Sequence, residues 1–299
     1  MNDIPARYHR STLLFGAAGQ RRLMESTALI VAAGGLGSPL AQHLALLGPK
    51  KIFVADFDEL GESNRNRFVG ARHTDSVPGS MKVDLVYRMV REINPNVEVV
   101  PIPFGLVSEE VFAAAKEADW TFGCFDDDGP RAILNELCSA YEKPYIDLAS
   151  DVPAPGVYGG HVCVSTGTGC LDCLGLLDRR AVRRYLETPE RRAEEDAIYG
   201  IHKGALDQRG PSVSPINGVV ASLAATEFMV AVTGMREPTR LQFYRGWESK
   251  VVVNTDVPAS DCLICKGIWG KRESADVERY LRLPHLREAN RPIRARLAA

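Results

Sequence analysis

Short apolar runs alternate with helix-like stretches from Thr27 to Ser150, and this alternation constrains the fold more than any other feature of the chain. Residues 28–32 read as a buried strand, 36–47 as a helix stopped by Gly48 and Pro49, and 51–55 as the next strand. Residues 80–93 carry Met81, Leu85, Met89 and Ile93 at helical spacing before Pro95. Residues 97–102 form a strand, and Ser108 can cap a helix over 109–117 by accepting a first-turn amide. Strand, helix and strand follow over 119–124, 131–142 and 144–149. Parallel strands need crossover helices, so the series predicts an α/β, Rossmann-like doubly wound sheet. A strand is read over 157–164, and a hairpin of 239–245 with 249–254 extends the sheet antiparallel, which makes it mixed around a parallel core.

The 36 basic and 38 acidic side chains nearly cancel, so bulk charge gives no reason to expect a nucleic-acid or membrane partner. The stretch from Ser26 to Pro49 lacks Asp, Glu, Lys and Arg, but Gly34, Gly35, Gly37 and Pro39 divide it into strand, turn and helix. A membrane span needs about 20 continuous apolar residues, so none is expected there. The opening residues lack an apolar run after a basic one, and no secretory signal is expected.

The strand over 28–32 runs into Ala32-Ala33-Gly34-Gly35-Leu36-Gly37, which opens a helix. Backbone without side chains can approach a phosphate, and a helix N-terminus offers free amides and a positive dipole end. Asp56 follows the next strand, where a carboxylate accepts ribose hydroxyls. A polar loop then brings Asp58, Ser63, Asn64 and Arg67, with Lys82 beyond it, and Asp126-Asp127-Asp128 follows the strand over 119–124. Several cations beside a carboxylate cluster suit a nucleoside triphosphate with Mg²⁺ better than a hydride-transfer site.

Four of the seven cysteines fall in two identical spacings, Cys170-Leu-Asp-Cys173 and Cys262-Leu-Ile-Cys265. Four thiolates can close a tetrahedral, structural Zn²⁺ site with no open position. Without a secretory signal this favours zinc over disulfides and implies the reducing cytoplasm. Cys124, Cys138 and Cys163 are expected to be small buried thiols.

Three segments remain. Residues 178–197 are dense in charge and read as a solvated helical excursion. Residues 216–234 hold only Asn217 and Glu227 as strongly polar members, so a helix there is buried in the core or against another subunit. Residues 266–299 carry nine Lys and Arg against four Asp and Glu and read as a mobile or loosely docked basic tail.

Taken in order, several of these features resemble one family. They are Arg7-Tyr8-His9-Arg10, Gly34-Gly35-Leu36-Gly37, Asp56-Phe57-Asp58, Ser63-Asn64 with Arg67, Lys82, Ile93-Asn94-Pro95, Cys124 with Asp126, Arg131, Asn135 and the two cysteine pairs. Over residues 7–266 the chain resembles the ThiF/MoeB/HesA branch of the ubiquitin-activating enzyme superfamily, which adenylates the C-terminal glycine of small ubiquitin-like proteins. The resemblance implies one adenylation domain over 1–266, with a nucleotide-binding half (27–150) and a zinc and partner half (151–266), followed by the tail 267–299. It implies that Gly34, Gly35 and Gly37 face the ATP phosphates and that Asp56 binds the ribose. Asn64, Arg67 and Lys82 would contact phosphate and Asp126 would hold Mg²⁺, with Asp58, Ser63 and Asp127 in the same nucleotide site. Arg10 would reach the other active site of a homodimer, making Arg10, Arg67, Lys82 and Asp126 the catalytic set.

The sequence departs from that pattern at three positions. Ala32 stands for the first turn glycine and Asp127 for an asparagine. No cysteine lies between Cys173 and Cys262, where some family members carry a thioester-forming nucleophile; the aligned position is Asp207. The expected chemistry therefore stops at an acyl-adenylate, handed on to another thiol acceptor. Three alternatives stay in view. A peptide-adenylating relative would carry an N-terminal clamp, and six residues precede Arg7. A non-enzymatic partner subunit would lack Lys82 or Asp126. A nicotinamide dehydrogenase is disfavoured by Ala32 and the cationic loop.

Overall fold

The computed structural model describes residues 4–167, 169–199, 211–267 and 270–293. Eight strands form one sheet: β1 (Thr27–Val31), β2 (Lys51–Ala55), β3 (Glu98–Ile102), β4 (Trp120–Gly123), β5 (Tyr145–Ala154), β6 (Val157–Ser165), β7 (Leu241–Arg245) and β8 (Lys250–Val253). Their order is β3-β2-β1-β4-β5-β6-β7-β8. The first five run parallel, and β6, β7 and β8 add antiparallel. The strand order reverses between β1 and β4, which is where an open α/β sheet binds its ligand, beyond the strand carboxyl ends.

The helices are α1 (His9–Glu25), α2 (Gly37–Leu47), α3 (Lys82–Ile93), α4 (Glu109–Glu117), α5 (Asp128–Ala140), α6 (Arg179–Leu186), α7 (Pro189–Tyr199), α8 (Ser214–Thr233) and α9 (Pro284–Ala289). Strand side chains alternate between faces, and β1 shows it: Ala28 and Ile30 join the core under α1, α2, α3 and α8, whereas Leu29 and Val31 join the core under α4 and α5. Ser108 caps α4 by accepting from the Val111 amide at 3.3 Å. Gly48 ends α2 in the left-handed conformation, its amide bonded to Leu44 O.

Helix α8 is long and apolar enough to cross a membrane by composition alone. Here it packs on α2, α1, β5 and β6, with Val220, Ala224 and Phe228 fully buried, so the core reading holds. Its buried Glu227 is answered by Arg236, Gln242 and the Thr239 amide.

Two expectations need correction. The charged stretch 178–197 forms α6 and α7, and it is not merely solvated: Tyr185 presses on Gly129 at the start of α5. The described part of the basic tail is docked as well. Val277, Tyr280 and Leu286 enter the core beside α4 and α5, while Lys116 and Tyr141 pair with Glu278. Apolar anchors scattered through short turns carry no periodicity, and this hid the packing from the sequence.

Candidate active site

A cleft of about 770 Å³ opens at the carboxyl ends of β1, β2 and β4. Its floor is the turn after β1. Ala32 adopts φ +74°, a left-handed conformation that disfavours any side chain. A side chain on Gly37 would strike the Ala32 carbonyl, so Gly37 lets strand and helix close together and does not itself line the cleft. A Cβ on Gly35 would stand 2.5 Å from Asn217 Nδ2 and 3.1 Å from Arg67 Cδ, while Gly34 faces open space. No side chain caps α2, so its N-terminus keeps its positive end for an anion.

Asp56 forms the next wall. Its Oδ2 accepts from the Ala33 amide and its Oδ1 from the Asp58 amide, both at 2.8 Å, which ties the two turns together. Burial raises the Asp56 carboxyl above the usual range, Lys82 opposes the rise and Asp58 adds to it. Lys82, on the first turn of α3, donates to Asp58 Oδ2 at 2.8 Å and stands 3.9 Å from Asp56 Oδ1. Asn64 lines the cleft and accepts from the Gly61 amide. Arg67 is held over Gly35 by donating to the Ser63 carbonyl at 2.7 Å. Ser63 thus contributes backbone, and its side chain does not line the cleft.

The three consecutive aspartates divide their roles. Asp127 lines the cleft while it accepts from the Gly129 amide and caps α5, and burial raises its carboxyl. Asp128 is taken by Arg131 and by the Asp178 amide. Asp126 lines the cleft, exposed and without a hydrogen bond or ion pair to any described residue, which fits a carboxylate kept for a cation.

Arg131 is structural. It is buried, clamps the fully buried Asp147 through Nε and Nη2, and meets His161, while Tyr145 donates to Asp147 Oδ1 at 2.8 Å. Burial would raise Asp147, but Arg131 and His161 outweigh it and hold the carboxyl at about 2. Asn135 serves the cysteines: its Oδ1 accepts from the Leu171 amide, inside the first pair.

The four paired cysteines converge with all sulfurs within 4.8 Å of one another. Cys170 and Cys262 are 3.6 Å apart, and Cys173 and Cys265 are 3.9 Å apart. A tetrahedron with metal–sulfur bonds of about 2.3 Å has edges of about 3.8 Å, so the donor set suits a four-coordinate metal. Burial pushes the Cys170 thiol up to about 11. For Cys265 burial acts upward too, but backbone hydrogen bonds at Cys170 and Gly169 and its neighbouring thiols bring it down. Cys124, Cys138 and Cys163 are buried, and burial raises each thiol.

Arg7 donates to Asn94 Oδ1 and the Ile93 carbonyl, and Asn94 donates to the Tyr8 hydroxyl, which locks α1 onto the end of α3. Arg10, on the exposed face of α1, does not line the cleft and pairs with no described residue of its own chain. Asp207 lies outside the described residues.

The sequence model of the ThiF family matches residues 8–264. The chain belongs to the ThiF family. Among its relatives, the HesA protein of Leptolyngbya boryana is 32% identical over 236 residues, covering 78% of this chain and 74% of that one. The molybdopterin-synthase adenylyltransferase of Escherichia coli K12 is 29% identical over 237 residues, covering 78% and 84%. The crystal structure of E. coli MccB with ATP superposes with a TM-score of 0.66 at 20% identity, covering 88% of this chain and 75% of that one; at that identity the likeness is one of fold.

The residues of the ThiF motifs line one part of the cleft but not all of it. Asn217 of α8, Ser150–Val152 at the end of β5, Tyr185 of α6 and Ala289-Asn290 at the end of α9 also line it. Asn217 had a signal in the sequence, being a polar residue in an otherwise apolar helix. The others reach the cleft only through tertiary packing.

Proposed function

We propose that this ThiF-family chain is an ATP-dependent adenylyltransferase whose second substrate is the C-terminal glycine of a small β-grasp protein. One observation carries the reading. A single cleft joins bare backbone at Gly34-Gly35, the ribose-competent Asp56, the cations Arg67 and Lys82, and the uncommitted carboxylate Asp126. The partner's carboxylate oxygen attacks the α-phosphorus of ATP, the bond to the β-phosphate bridging oxygen breaks, and pyrophosphate leaves with that electron pair. The carboxyl carbon is thereby joined to AMP, a far better leaving group.

In this reading Asp56 orients the ribose, Gly35 and the α2 N-terminus receive phosphate oxygens, and Arg67 and Lys82 neutralise charge as it moves to pyrophosphate. Lys82 has to pass from Asp58 to phosphate when the nucleotide enters. Mg²⁺ on Asp126 would add further charge neutralisation. Arg10, idle within its own chain, completes the partner's cleft in a homodimer. Zn²⁺ on Cys170, Cys173, Cys262 and Cys265 is structural and staples the segment after β8 to the knuckle after β6. Four thiolates of this kind suit the reducing cytoplasm. With Cys124 buried and its thiol raised, the reaction ends at the acyl-adenylate, and a separate thiol acceptor takes the activated protein.

Hydroxylamine trapping tests the substrate class. With ATP and Mg²⁺, a β-grasp protein ending in Gly-Gly should become a C-terminal hydroxamate, seen by intact mass. A hydroxamate formed only on short peptides would move the activity to peptide adenylation, and none on either would refute adenylation.

A further inference from the structure

The segment after the second cysteine pair reaches the cleft through Ala289 and Asn290, and nothing in the ThiF motifs assigns it a role there. It is anchored by Val277 and Leu286 in the core beside α4 and α5, and by Tyr280, whose hydroxyl donates to Glu136 at 2.9 Å. From that anchor α9 delivers Asn290, itself 3% exposed, to the loops that follow β2 and β3. Asn290 Oδ1 accepts from the Val107 amide at 3.2 Å, and its carbonyl accepts from the Gly105 amide at 2.8 Å. Its Nδ2 donates to Leu286 O at 2.8 Å and to the Tyr185 hydroxyl at 3.3 Å. Three residues on, the Ile293 amide donates to the Phe57 carbonyl at 3.1 Å. One strap therefore ties the β2 loop, the β3 loop and α6. Gly105 admits no larger residue, because a side chain there would strike Asn290 and Phe57.

The position along the cleft gives the strap its role. Gly35, Arg67 and Lys82 mark the phosphate end, and Asp56 marks the sugar. The base would then lie beyond Asp56, where Phe57, next in the chain, meets Gly105 and Asn290, and where Leu106 and Ala289 also line the cleft. We propose that Ala289 and Asn290, at the end of α9, build the base end of the nucleotide pocket, and that Asn290 is the positioning residue that holds the β3 loop in its binding conformation. This rests on the nucleotide reading given above. Without the Asn290 side chain the Gly105 amide keeps its backbone acceptor but the buried Val107 amide loses its own, and a buried donor left unpaired favours a displaced loop. The phosphate end, built on other elements, is untouched.

Calorimetric titration of the full chain with ATP and with inorganic tripolyphosphate, both with Mg²⁺, separates the two ends. Asn290→Ala should bind ATP about tenfold or more weakly, while tripolyphosphate affinity changes less than about twofold. Arg287→Ala, on the same helix and paired among the described residues with exposed Glu109, should bind both ligands like the parent. In turnover the loss should appear as a raised KM for ATP with kcat nearly kept. Unchanged ATP affinity in Asn290→Ala would overturn the proposal. So would equal losses for both ligands, which mean general damage. A parent protein that binds tripolyphosphate but not ATP would instead refute the nucleotide reading, and the strap proposal with it.

Discussion

Lys82 is held by Asp58 at 2.8 Å across the mouth of the cleft, where both could otherwise face a ligand. The pair keeps a buried cation neutralised, and in the proposed function its exchange of Asp58 for phosphate would couple nucleotide entry to site assembly. Lys82→Ala should therefore lower ATP–pyrophosphate exchange by about 10²–10³-fold. Because Arg10 is proposed to act across a dimer, mixing Lys82→Ala with Arg10→Ala subunits should restore activity at one site of each mixed dimer. Mixtures as inactive as both parents would exclude that arrangement.

Asp147 predicts an acid dependence of stability. Its carboxyl titrates at about 2, below the ordinary value of about 3.9, because Arg131 and His161 surround its charged form. Its contribution is whole above about pH 4 and is lost as the pH falls towards about 2. Asp147→Asn should cost about 3 kcal/mol at neutral pH by leaving Arg131 without its main buried partner. It should also flatten the loss of stability below about pH 4. Urea unfolding at several pH values measures both, and a variant as stable as the parent at pH 7 would contradict the assignment.

The cysteine cluster predicts about one zinc per chain in protein purified without chelator. Cys262→Ser should lower the melting temperature and release the metal, since binding energy at such a site is partly folding energy. Metal-free protein with an unchanged melting temperature would remove the structural role.

Burial of Cys124 predicts that no thioester forms on the described cysteines. ATP and the partner should leave no enzyme–partner band on non-reducing gels. A band lost on adding thiol and absent in Cys124→Ala would make Cys124 the nucleophile.

What the sequence made legible was local. The turn after β1, Asp56 at its strand end and the cysteine pairs all depend on spacing within a few residues, and strand alternation fixed which face each side chain takes. Roles that depend on direction were hidden. Arg131 and Asp127 sit beside Asp126 in sequence, yet one turns into the core onto Asp147 and the other back onto its own helix. Asn290 was hidden further still, since 183 residues separate it from Val107.

A cleft that adenylates a protein carboxylate must also run the step backwards, so pyrophosphate exchange reports on it. Labelled pyrophosphate should enter ATP only when a β-grasp protein ending in Gly-Gly is present. Asp126→Ala, folded as judged by circular dichroism, should lose that exchange by at least about 10²-fold. Full exchange in Asp126→Ala would contradict the assigned chemistry, and exchange that needs no carboxylate substrate would contradict the account as a whole.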